Sequence, residues 1–70
     1  MNDKSKEYVE RIRQASRCSD EQILSLEKEV NKYLKTLPND EADEFADSGY
    51  GEALYMLASG IRYQRENKIQ

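Results

Sequence analysis

The run Ser19–Leu37, S-D-E-Q-I-L-S-L-E-K-E-V-N-K-Y-L-K-T-L, decides the fold, because a start signal, a periodic apolar face and a stop signal all fall on it. Ile23, Leu26, Val30, Tyr33 and Leu37 recur at alternating spacings of three and four, with Leu34 widening the stripe. Side chains so spaced return to one side of a helical turn. Leu24 stands off that side. Ser19 and Gln22 have the spacing of a capping box, in which each side chain satisfies a backbone N–H that the first turn leaves unpaired. Pro38 closes the segment, since the residue before a proline is pushed out of the helical region. A helix over residues 20–37 follows, and its apolar face needs a cover.

That cover has to come from a short chain. Seventy residues make a single domain, 1–70. A core of that size seldom supplies more than ~3–5 kcal/mol without a disulfide, a metal or a partner chain. Apolar content of 37% against charged content of 36% is polar for a compact domain, but the apolar residues are periodic, which argues for folding. No histidine is present and Cys18 is the single cysteine, so no disulfide framework and no zinc cluster can form within one chain. Cys18 reads as a small, partly buried thiol in a reducing compartment, with no histidine to activate it. The opening M-N-D-K-S-K-E-Y has no apolar run behind its charges, and no stretch is long enough to cross a bilayer. The expected location is the cytoplasm, with no membrane association.

Charge is distributed unevenly. Residues 1–18 carry a net +2, residues 38–60 hold six acids and no base, and residues 61–70 return to +2. Tyr8, Ile12 and Ala15 define one side of a first helix over about 4–17, with Arg13 and Arg17 opposite. Beyond Pro38, Asn39 is the expected N-cap of a third helix over about 40–65, and Asp40, Glu41, Asp43 and Glu44 crowd its first turns, where the helix dipole favours negative charge. A stripe of Ala42, Ala46, Gly49 and Ala53 continues at helical spacing through Asp47-Ser48-Gly49-Tyr50-Gly51. This favours one long helix bent at 48–51 over a loop between two helices. The glycines lack the lysine and hydroxyl residue of a phosphate-binding loop, and the acids lack the spacing of a calcium loop. No metal and no cofactor are expected. The tail after Tyr63 loses its apolar face, and residues 66–70 are expected to fray. The core expected from these faces is Ile12, Ile23, Leu26, Val30, Leu34, Leu37, Phe45, Ala46, Ala53, Leu57 and Ile61.

Two resemblances accompany this pattern. Tyr8 to Glu52, with Y-V-E-R-I-R, Cys18, N-K-Y at 31–33 and Phe45-Ala46-Asp47, resembles the Hha/YmoA family of small bacterial proteins that bind nucleoid proteins, without that family's C-terminal tryptophan segment. Val30 to Ile61, around L-P-N-D-E-A-D-E-F, is similar in pattern to the Rop-type helical hairpin, which dimerises into a four-helix bundle. Both imply an all-α chain. Because two unrelated families match about equally, the shared feature is the generic spacing of a helical hairpin, and neither carries a functional residue over.

The expected fold is all-α, a short N-terminal helix plus an antiparallel hairpin, as a three-helix bundle open to dimerisation. The expected function is that of a non-catalytic regulatory or adaptor protein of bacterial or phage type, binding another protein with a basic surface or a second copy of itself. Asp40, Asp43, Glu44 and Asp47 would form the acidic patch, and Tyr33, Tyr50, Tyr55 and Tyr63 the amphipathic anchors. The alternative is a nucleic-acid-binding transcription modulator using Arg11, Arg13, Arg17, Arg62 and Arg65 on phosphates. Catalysis is not expected, because no nucleophile has a base and the chain is too short to enclose a pocket.

Overall fold

A computed structural model of the chain describes residues 1–67. Four α-helices make up the fold, with no strand among the described residues: α1 (Asp3–Arg13), α2 (Asp20–Leu34), α3 (Asn39–Asp47) and α4 (Tyr50–Glu66). A 3-10 turn, Ala15–Arg17, joins α1 to α2. The molecule is elongated, 45 × 22 × 17 Å. It is built on α4, which packs against each of the other three helices.

α2 starts where its sequence places it. Ser19 Oγ accepts from the Gln22 N–H at 3.2 Å, and Gln22 Oε1 accepts from the Ser19 N–H at 2.8 Å, which closes the capping box. The helix stops at Leu34, three residues before the expected end. Thr36 and Leu37 bond back to the carbonyls of Tyr33 and Leu34, and the Thr36 hydroxyl donates to the Tyr33 carbonyl at 2.6 Å, so the last turn tightens ahead of Pro38. The first helix also ends early, at Arg13 rather than Arg17. The Arg17 and Cys18 N–H groups bond to the carbonyls of Gln14 and Ala15, a tighter winding that turns Ala15 into the core.

The largest correction concerns residues 40–65, which form two helices and not one. Gly49 adopts φ +83°, a left-handed conformation that ends α3 and that a side chain would disfavour by ~1–2 kcal/mol. The break resets the helical phase. α4 buries Leu54, Ala58 and Ile61, whereas Ala46 and Ala53 of the continuous stripe are exposed and Leu57 is 43% exposed. The N-cap of α3 is Pro38, not Asn39: Pro38 is extended at ψ 154° and its carbonyl accepts the Ala42 N–H, so Asn39 is the first helical residue. α4 keeps its helix to Glu66, past the start of the expected fraying; residues 68–70 lie outside the described residues.

The core joins Tyr8, Ile12 and Ala15 to Ile23, Leu26 and Val30 of α2, Phe45 of α3, and Leu54, Ala58 and Ile61 of α4. Phe45 is fully buried and reaches α4, where a Cβ placed on Gly51 would meet its ring at 3.5 Å. Leu34 and Leu37 are half-buried at the margin.

Candidate interaction surface

Three arginines of α1 and α4 end on glutamates of α2. Arg11 donates to Glu29 at 2.7 Å, Arg62 to Glu27 at 2.6 Å, and Arg65 to Glu21. Positions rise along α4 as they fall along α2, so these two helices are antiparallel. Glu29 also accepts from the Tyr8 hydroxyl at 2.9 Å. Hydrogen bonding from Arg11, and then from Tyr8, holds the Glu29 carboxyl below the usual carboxylate range. Burial, and then Glu29, pushes the Tyr8 phenol up. The bond to Glu29 likewise raises the Arg11 guanidinium.

Of the five residues that a nucleic-acid reading requires, Arg11, Arg62 and Arg65 are therefore engaged within the fold. Arg13 lies 3.8 Å from Glu10, and Arg17 is exposed beside the 3-10 turn.

The four tyrosines divide in the same way. The Tyr33 hydroxyl donates to Asn2 Oδ1 at 3.1 Å and lies 2.7 Å from Ser5 Oγ, and its ring packs on Tyr8 with centroids 4.8 Å apart. Tyr8 in turn lies under the Lys4 and Arg11 cations at 5.4 and 5.5 Å. Tyr33 thus serves the α1–α2 contact, and Tyr50 is half-buried against the core. Tyr55 and Tyr63 stand out from α4, 58% and 67% exposed, together with Met56 at 65%. Met56 and Leu57 also lie at the surface, Leu57 against the core position expected for it, because the helical phase that exposes them depends on the turn at Gly49.

Asp40, Asp43, Glu44 and Asp47 all face solvent, on the side of α3 away from Phe45, as their spacing of three and four requires. Glu44 meets the Met1 ammonium at 2.8 Å, and Glu41, beside them, accepts from the Asn2 side chain at 3.2 Å. Among the described residues no cation pairs with Asp40, Asp43 or Asp47. No group of three or more His, Cys, Asp or Glu side chains there is placed to hold a metal ion. A groove of about 450 Å³ lies between α1 and α2, lined by Arg11, Gln14, Cys18 and Leu26 among others. Its thiol donates to the Gln14 carbonyl at 3.7 Å and its guanidinium is committed to Glu29. No helix among the described residues is long and apolar enough to cross a membrane.

Comparison with known proteins returned no matching family model, no matching curated protein and no matching solved structure.

Proposed function

We propose that this chain is a small, non-catalytic regulatory or adaptor protein, working in the cytoplasm as a helical bundle that binds another protein through its helix faces and the acidic side of α3. The observation that carries the reading is the set Asp40, Asp43 and Asp47, exposed on one face with no counter-charge among the described residues. Like charges three and four apart on a helix repel by ~0.2–0.5 kcal/mol per pair. Asp47 adds to that cost, because it sits at the C-terminal end of α3, where the dipole opposes an anion. A basic surface laid against this face would remove the repulsion and steer encounter. The absence of histidine supports a non-catalytic role.

The test is capture by the immobilised chain from extracts of the cells that encode it. Asp43→Lys with Asp47→Lys is the variant of choice, since it spares Glu44, which holds the Met1 ammonium, and Asp40, in the first turn of α3. Wild-type capture is expected to weaken as salt rises, and the double variant to lose its partner while keeping its helicity. An unchanged captured set would refute the acidic-surface mechanism.

A further inference from the structure

Two rows of opposite charge are left unneutralised in this chain, and their spacings mirror each other. Along α2, Lys28, Lys32 and Lys35 stand four and then three residues apart, all exposed on the side away from Leu26 and Val30; Lys35, the C-cap, keeps helical dihedrals. Along α3, Asp40, Asp43 and Asp47 stand three and then four residues apart, also exposed. From first to last each row covers the same length of helix, ~10.5 Å. Neither is balanced by its own helix. No acid lies three or four residues from Lys28 or Lys35, and the one such neighbour of Lys32, Glu29, is held by Arg11 and Tyr8. No base lies three or four residues from any of the three aspartates. Nor do the rows meet within the chain: among the described residues no ion pair joins α2 to α3.

Resting on the reading that the acidic side of α3 is a protein-binding surface, we infer that the basic surface it meets is the lysine row of α2 on a second copy of this chain. The two helices lie antiparallel, with Asp47 on Lys28, Asp43 on Lys32 and Asp40 on Lys35. Read from its C-terminal end, the aspartate row runs in steps of four and then three, as the lysine row does read forward. All three pairs therefore close in one register. In the parallel sense the central pair falls one residue out of step, ~1.5 Å along the helix and ~100° around it. The glutamates at the flanks of α2 do not compete for the lysines, since Glu21, Glu27 and Glu29 are committed to Arg65, Arg62 and Arg11. Contact between copies relieves the like-charge repulsion inside both rows at once. Three exposed pairs of ordinary strength raise an association constant by ~3–150-fold, so the assembly is reversible and governed by salt. Self-pairing then competes with any other basic protein for α3.

Sedimentation equilibrium of the purified full chain, with circular dichroism on the same samples, tests this. At ~0.01 M ionic strength, where charges act over ~30 Å, mass is expected to rise above one chain as concentration approaches millimolar, and to return to one chain at ~1 M, where they act over ~3 Å. Lys28→Glu with Lys32→Glu, and separately Asp43→Lys with Asp47→Lys, should each stay at one chain with helicity unchanged. An equimolar mixture of these two variants should associate, and so should a chain carrying all four substitutions, because each restores opposite charges across the contact. If the glutamates lower helicity, Lys28→Gln with Lys32→Gln takes their place, and its association should weaken. A wild-type chain that stays single at low salt up to millimolar concentration overturns the inference, as do folded reversed variants that fail to associate when mixed, or a glutamine variant that associates as wild type does. Only the purified chain is present in this assay. Its failure leaves salt-sensitive capture of another protein through α3 intact, and failure of that capture leaves pairing between copies intact.

Discussion

Gly49→Ala and Gly60→Ala are expected to change stability in opposite directions, although a methyl group at either glycine would touch nothing within 4 Å. The difference lies entirely in the backbone. At Gly60, inside α4, alanine lowers the conformational entropy of the unfolded chain and should stabilise by ~0.8–1.0 kcal/mol. At Gly49 the native φ of +83° is left-handed, and alanine should cost ~1–2 kcal/mol. For a domain of this size each kcal/mol moves the midpoint by ~4–8 °C. Gly60→Ala should therefore melt ~4–8 °C above wild type, and Gly49→Ala ~4–16 °C below it. Thermal melts followed by circular dichroism, at concentrations too low for self-association, give both values. A single long helix over 40–65 would instead make both substitutions stabilising. Finding Gly49→Ala at or above the wild-type midpoint would refute the two-helix account, and with it the helical phase that leaves Met56, Leu57 and Tyr63 exposed.

Two other outcomes follow from the core and from α2. Phe45→Ala removes a fully buried ring at a cost of ~3–5 kcal/mol, about the whole stability of so small a domain, so the variant should lose its cooperative melt; a midpoint within ~5 °C of wild type would show that α3 does not anchor the core. The Glu29 carboxyl, followed by NMR, should titrate below the usual carboxylate range and move up toward it in Arg11→Met. Since its folded-state value is depressed, its contribution is present above the ordinary carboxylate pKa and is lost as pH falls through the depressed one. A titration that Arg11→Met leaves unmoved would count against the ion pair.

α2 was legible in the sequence because everything that defines it is local. Ser19, Gln22 and the stripe from Ile23 to Val30 lie within one segment, and the cap and the buried face follow from them. The second half was not, for a reason visible at four residues. Ala42, Ala46, Gly49 and Ala53 keep helical spacing through a position where the chain is not helical, so periodicity alone runs the phase straight across the break. That unbroken phase puts Leu57 inside and leaves out Leu54 and Ala58, which the structure buries. Periodicity counts residues, whereas the phase of α4 is set by one dihedral angle at Gly49. The candidate surface was legible in part. The acids of α3 face solvent as their spacing implies, and Tyr55 and Tyr63 are exposed. That Tyr33 is held by Ser5 and Asn2, and Arg11, Arg62 and Arg65 by α2, depends on contacts between helices, to which no local pattern points.

The two arginines of α4, Arg62 and Arg65, have a further consequence. The stripe α4 sends inward is Leu54, Ala58 and Ile61, all aliphatic, with no polar group to mark a register. Slid by one turn, ~5.4 Å, such a stripe would still meet apolar neighbours on α2. The slide would, however, part Arg62 from Glu27 and Arg65 from Glu21 together. An exposed ion pair adds only ~0–1 kcal/mol, too little to decide whether the chain folds, but two that fail at once are enough to separate neighbouring alignments of comparable energy. The charges on α2 act as a vernier: the apolar residues draw the helices together, and the surface sets where along their length they stop.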